Sequence, residues 1–292
     1  MTTIYILLAS FAVMLMSLVG IFTVTRVFRG WAERNLKYLA TFATGVFIVV
    51  AYNLVKETFH SDIALAPLLG IMLIGVLIAF AVDKAIPNSH HHHDDSEHPG
   101  SHSKAGAQRI ILSDTLHNIT DGFLIVPAFL VDVHLGLLTT AGIMIHEIAQ
   151  EVSEFFVLKS AGYSTKKALI INFVTSGSIL LGVLGALFIT NISEDIIFSL
   201  LAVAAGIIIY TILKDLIPYS LSVAKKEKTY LKHLVAALAG IAIIAALTTA
   251  TADTHVHSED EHAHTEENHL EENHSEEPSA DIIHSEEDTH SH

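Results

Sequence analysis

Charge is absent from six long stretches of this chain. They run from Met1 to Thr25, Tyr38 to Val55, Ile63 to Val82, Ala168 to Ser193, Ile196 to Leu213 and Leu234 to Ala252. Each approaches the roughly 20 residues that an α-helix needs to cross a bilayer. Two further stretches, residues 109–130 and 135–158, have the same length but carry ionisable groups. In the first, Asp114, His117, Asn118 and Asp121 recur at i, i+3, i+4 and i+7, which is one face of a helix. His146, Glu147, Gln150 and Glu151 make a comparable face on the second. The pattern predicts an all-α polytopic membrane protein with eight transmembrane helices.

Composition agrees with that class and excludes a soluble domain. Of the 292 residues, 51% are hydrophobic and only 16% are charged, with a mean hydropathy of +0.50. Soluble domains carry about a quarter charged residues. The chain has no cysteine, which removes disulfides and thiolate metal sites from consideration. Met1 opens the first stretch without a basic leader region or a small-residue cleavage site, so a retained helix is expected there.

The Lys and Arg residues supply an orientation. Arg26, Arg29, Arg34 and Lys37 fall between spans 1 and 2, and Lys84, Lys104 and Arg109 between 3 and 4. Lys159, Lys166 and Lys167 fall between 5 and 6, and Lys214, Lys225, Lys226, Lys228 and Lys232 between 7 and 8. Lys56 alone lies on the opposite side. The positive-inside rule therefore predicts cytoplasmic placement of those four loops and external N- and C-termini. The expected division is spans 1–3 in residues 1–86, a cytoplasmic loop 87–107, spans 4 and 5 in 108–160, spans 6–8 in 161–252, and an external tail 253–292.

Charge and histidine concentrate in the two polar segments. The loop contains the run Pro87 to Lys104 with six His, and the tail holds nine His and fourteen Asp and Glu without a single Lys or Arg. The net charge of −15 thus belongs largely to the tail. Low hydrophobicity argues against independent folding of either segment. Imidazoles interleaved with carboxylates suit weak capture of Zn²⁺ and similar ions; a solvated tether is the alternative.

The intramembrane acids carry the candidate chemistry. A carboxylate at a helix centre costs roughly 2.5–3.5 kcal/mol on insertion scales. Asp121, Glu147 and Glu151 facing lipid would cost on the order of 8–10 kcal/mol together, so they must face each other, a cation or a watery path. His117 and Asp121 stand one turn apart, about 6 Å along the helix axis. Their side chains can converge on one ion, with His146 and Gln150 approaching from span 5. Two imidazoles with carboxylate and amide oxygens favour a divalent transition metal over Mg²⁺ or Ca²⁺. Polar faces bonded only to each other would be the bland reading. Asp114, nearer the cytoplasmic end, fits a capping or snorkelling role as well as a functional one.

DTLHNITDG followed by HEIAQEVSEF resembles the paired signatures of the ZIP (Zrt/Irt-like) family of divalent metal transporters, HNxxDG on span 4 and HEIPHE on span 5. GVFIVVAYNLVKETF resembles the family's second span, which ends in HLxPE, with Asn53 in place of His and Lys56 in place of Pro. AVDKAIP and AAGIIIYTILKDLIP resemble the ends of its third and seventh spans. The resemblance implies inverted repeats of spans 1–3 and 6–8 around spans 4 and 5. It also implies Zn²⁺ transport into the cytoplasm by alternating access, with Fe²⁺, Mn²⁺, Co²⁺ and Cd²⁺ as further cargoes. The inner metal site then falls on His117, Asp121, His146 and Gln150, and a second metal on Asn118, Asp121 and Glu147. Glu151 and Glu154 would line the path. Where members with two metals use a span 6 acid, this chain offers Ser176 and Ser178.

No enzymatic activity and no prosthetic group are expected. The expected partners are divalent metal ions and the lipid bilayer, with no nucleic acid; a homodimer is compatible with the class. Plasma membrane is the simplest location. Two rivals remain. A cation-efflux transporter shares an HxxxD helix and a His-rich loop, but its usual six spans and folded cytoplasmic C-terminal domain do not match. An intramembrane zinc protease needs HExxH, and HEIAQ places Gln150 where the second His belongs.

Overall fold

A computed structural model of the chain describes residues 1–24, 26–85, 104–192 and 196–248, and within them all regular structure is helical. The His-rich run up to residue 103 and the whole tail 253–292 lie outside the described residues. In chain order the helices are α1 (Thr2–Met16, continued as a 3-10 segment Ser17–Val24), α2 (Arg26–Thr58), α3 (Leu65–Ala85), α4 (Lys104–Val131) and α5 (Val133–Ser160). There follow α6 (Thr165–Ser176), α7 (Ile179–Ile192), α8 (Ile197–Thr211), a π-helical turn (Ile212–Leu216), α9 (Ile217–Glu227) and α10 (Tyr230–Thr248).

The exposed faces identify the solvent. On α1, Ile6, Ala9, Ser10, Val13 and Met14 are buried, while Ile4, Leu7, Leu8 and Phe11 are exposed. On α3 the buried positions are Leu68 and Gly75; Leu65, Leu69, Leu73, Ile74, Leu77 and Phe80 face outward. Helices as apolar outside as inside cannot be covered by water and match a hydrocarbon surround. Six helical segments, Thr2–Val19, Arg34–Thr58, Leu65–Ala85, Thr165–Asn191, Ile197–Glu227 and Tyr230–Thr248, are long and apolar enough to cross a bilayer. The chain is an all-α, multi-pass membrane protein.

At the centre stand α4 and α5, each 28 residues long. Only Asp132 separates them, and its Oδ1 accepts a hydrogen bond from the Leu135 amide at 2.8 Å, capping α5 while the chain reverses. The two helices are therefore antiparallel neighbours. Around them pack α1, α2, α6, α7 and α8, with α3 laid against α8. Three helix pairs approach so closely that a Cβ would collide with the facing backbone. Gly45 of α2 meets Ala237 of α10, Gly75 of α3 meets Val203 of α8, and Gly182 of α7 meets Ile119 of α4. Each contact is returned by a glycine of the partner: Gly240, Gly206 and Gly122. Close backbone approach replaces the hydrophobic drive that lipid cannot supply.

Two spans depart from continuous helices. The stretch expected as one helix from Ala168 to Ser193 breaks at Gly177 and Ser178 into α6 and α7. There the Ser178 amide bonds Thr175 O, three residues back, while its hydroxyl donates to Thr115 O of α4 at 2.9 Å. The π-turn before α9 has a local cause in Pro218, which lacks the N–H that would bond residue 214. Beside it Tyr210 donates to Asp83 at 3.1 Å, and Lys214 lies 3.7 Å from both Asp83 and Asp215. α2 is tied to α9 and α10 by Thr44–Ser220 at 3.2 Å, Thr41–His233 at 2.7 Å and the Lys37–Glu227 ion pair.

The glycine contacts give a direct test of the packing. Gly182→Val should lower the thermal midpoint of the purified protein, at a cost of about 1–3 kcal/mol or more from overpacking. Gly70→Ala, with nothing within 4 Å of the added carbon, should leave the midpoint unchanged or raise it, since alanine is the better helix former by about 1 kcal/mol. Equal midpoints for both variants would contradict the close α4–α7 approach.

Candidate metal centre

Helical periodicity carries His117, Asn118 and Asp121 to the side of α4 that meets α5, and His146 and Glu147 to the facing side of α5. His117 Nε2 lies 3.7 Å from Asp121 Oδ2 and 3.9 Å from Glu147 Oε1. The His117 and His146 rings are 5.3 Å apart at their centroids. Phe47 of α2 stands edge-on to His146 at 5.4 Å and closes that side. His117, His146 and Glu147 each offer a ligand atom, all within 4.8 Å of one another. With zinc–ligand bonds of about 2.0–2.2 Å, opposed ligand atoms stand at most about 4.4 Å apart. Small side-chain rotations therefore close this group on one ion.

Burial shows what these atoms lack. Asn118, Asp121 and Glu147 are 0–2% exposed. His117 Nε2, Asn118 Oδ1, Asp121 Oδ2 and both Glu147 carboxyl oxygens have no hydrogen-bond partner within the protein. Nor does any Lys or Arg form an ion pair with Asp121 or Glu147 among the described residues. Buried polar atoms are ordinarily bonded, and an unpaired buried carboxylate is costly. A cation would supply what imidazole and carboxylate both want here. The mixture of nitrogen and oxygen donors suits zinc and its neighbours in the first transition row.

Other expected residues turn elsewhere. Gln150 Nε2 donates to Asp114 Oδ1 at 2.5 Å, and Asn118 Nδ2 donates to the same oxygen at 3.0 Å. The side chain of Glu151, fully buried, accepts from Ser176 Oγ of α6 at 2.7 Å. Asn172, also on α6, donates to Glu151 O at 3.0 Å. Thus His117, His146 and Glu147 come together with Asp121 at the His117 edge, whereas Gln150 and Glu151 organise a layer beneath. Asp114 is not at a capping or snorkelling position: it is 1% exposed and accepts from two amides. Asn172 was missed by the sequence reading. Its signal was an isolated amide one turn before Ser176 in an otherwise apolar stretch.

A bundle of apolar helices around a buried set of cation ligands defines a membrane protein that handles metal ions. The family model for the ZIP Zinc transporter matches residues 87–249, more than half of the chain. The chain belongs to the ZIP family. It is 32% identical over 165 residues to Zinc transporter foi of Drosophila melanogaster, covering 53% of this chain and 23% of that protein. Against human Zinc transporter ZIP6 the identity is 34% over 112 residues, 38% of this chain and 15% of the relative. Metal cation symporter ZIP14 of Xenopus tropicalis is 34% identical over 151 residues, 49% of this chain and 32% of that protein. The matched part therefore spans less than a third of each relative's length.

Glu147→Gln should expose the trade between stability and binding. Removing a buried charge that no protein group bonds should raise the thermal midpoint in chelator. The rise on adding Zn²⁺ should shrink, where a site at a hundredfold excess over its Kd contributes about 2.7 kcal/mol. An unchanged midpoint in chelator together with a full zinc-induced rise would remove Glu147 from the centre.

Proposed function

We propose that the chain carries Zn²⁺, or a related divalent transition-metal ion, across a bilayer into the cytoplasm through the ligands between α4 and α5. The observation that carries this reading is the set of buried His117, Asp121 and Glu147 ligand atoms without hydrogen-bond partners inside an apolar bundle. The relatives' names, zinc transporters and a metal cation symporter, support the cargo. Ions such as Fe²⁺, Mn²⁺, Co²⁺ and Cd²⁺ share the donor preference.

A hydrated dication cannot enter hydrocarbon, so ligands must replace its water midway, as transporters arrange near the bilayer midplane. Carboxylates offset the charge, and imidazoles favour a borderline metal over Ca²⁺ or Mg²⁺. Release requires a site short of a closed four-thiolate cage, which a chain without cysteine satisfies. In our reading α4 and α5 join the six apolar segments to make eight spans, with 1–3 and 6–8 as inverted repeats that alternately expose the centre to either side. The distribution of Lys and Arg sets both termini outside and the metal's destination in the cytoplasm. The location is the plasma membrane. The protein is not an enzyme: Gln150, at the position of the second protease histidine, commits its amide to Asp114 instead.

Radioactive Zn²⁺ uptake into proteoliposomes tests the proposal. His117→Ala and Asp121→Ala should each lower the uptake rate at a fixed sub-saturating zinc concentration by at least about tenfold, corresponding to 1.4 kcal/mol of lost stabilisation. Wild-type rates in both variants would sink the site, and net export would sink the direction.

A further inference from the structure

Beneath the His117–His146–Glu147 group the same two helices carry a second layer of acids. Asp114 precedes His117 by three residues on α4, about 4.5 Å along the axis; Glu151 and Glu154 follow Glu147 on α5 by four and seven, about 6 and 10 Å. Because α4 and α5 are antiparallel, all three displacements run toward the same end of the bundle. Asp114, Glu151 and Glu154 are 0–4% exposed. The Glu154 carboxyl stands within hydrogen-bonding reach of Asp114.

Two features separate this layer from a mere accumulation of acid. Asp114 Oδ1 is fixed by the Asn118 and Gln150 amides, and Glu151 Oε1 by the Ser176 hydroxyl, yet Asp114 Oδ2 and Glu151 Oε2 have no hydrogen-bond partner. The second is Asn118, 0% exposed, which bonds Asp114 through its nitrogen and leaves its own amide oxygen unpartnered. Asn118 therefore offers an oxygen ligand at the boundary between the two layers. Donors orient one oxygen of each carboxylate and leave the other for a cation.

We infer that Asp114, Glu151 and Glu154 form a second divalent-cation station, all oxygen in its side-chain donors, which the transported ion enters after leaving the His117–His146–Glu147 group. This rests on the transport reading above. Exchanging imidazole nitrogen for carboxylate oxygen lowers the preference for zinc-like ions. Moving from the mixed site to the oxygen site therefore loosens the ion as it approaches release. Gln150 and Ser176 act as positioning residues that hold Asp114 and Glu151 ready.

The absence of cysteine makes a local test clean. Glu154→Cys places a single thiol in the full chain, and its alkylation by a maleimide is timed in proteoliposomes with and without Cd²⁺. Cd²⁺ should slow alkylation by at least about tenfold. That protection should vanish when Asp114→Asn is added and persist when His117→Ala is added. Protection that survives Asp114→Asn means the thiol alone holds Cd²⁺; protection lost with His117→Ala means there is no separate station. Either result overturns the inference. Transport supplies a second readout. Asparagine keeps an oxygen for the Asn118 and Gln150 amides, so a purely structural role predicts wild-type uptake for Asp114→Asn. The station predicts a maximal Zn²⁺ rate about tenfold lower at unchanged half-saturating zinc, with the same split for Glu154→Gln. Wild-type maximal rates in both variants overturn it. Failure of the transport reading would appear separately, as His117→Ala uptake equal to wild type.

Discussion

Carboxylates and imidazoles held in the middle of a lipid-facing bundle lose their water, and the protein around them cannot replace all of it. Asp121 and Glu147 are buried with oxygens that no protein donor reaches, and no Lys or Arg among the described residues pairs with them. The remaining structure answers to that constraint. α4 and α5 occupy the interior, where five other helices shield them from hydrocarbon. The apolar residues of α1 and α3 face outward, so that the polar side chains of α4 and α5 can face inward.

Rigid placement of those groups depends on backbone contact. Lipid offers no hydrophobic drive for helices to associate, so reciprocal glycines bring α4 against α7, α3 against α8 and α2 against α10. The interruption of span 6 serves the same interior. At Gly177 and Ser178 the helix relaxes, Ser178 bonds α4 through Thr115, and Asn172 and Ser176 bond Glu151 of α5. The α6 segment thereby holds both central helices by hydrogen bonds, where an unbroken apolar helix would hold them only by packing.

Where family members use a span 6 acid, this chain has hydroxyls, and the difference changes what the nearby carboxylate can do. A hydroxyl on Ser176 donates to Glu151 Oε1 and orients it, whereas an acid there would add a further negative charge. Gln150 likewise substitutes a donor for an imidazole. Its nitrogen fixes Asp114, leaving His117 and His146 as the two imidazoles near Glu147. Both departures move hydrogen-bond donors into the layer beneath the metal ligands.

Much of this was legible in the sequence because a membrane simplifies the code. Uncharged runs of bilayer length mark helices, and any acid among them is conspicuous, so His117, Asp121, His146 and Glu147 could be picked out by periodicity alone. Helical spacing fixes which residues share a face of one helix; it carries no information about the rotation of a second helix against the first. Which atoms meet across α4 and α5 was therefore decided by tertiary structure. That is why Gln150 turned out to bond Asp114, and why Asn172 escaped notice. The break at Gly177 was equally hidden, since its stability depends on Thr115 O standing within reach on another helix. Sequence determined where charge could not be left exposed to lipid; only the packed bundle decided which of those charges it would satisfy itself and which it would leave for a cation.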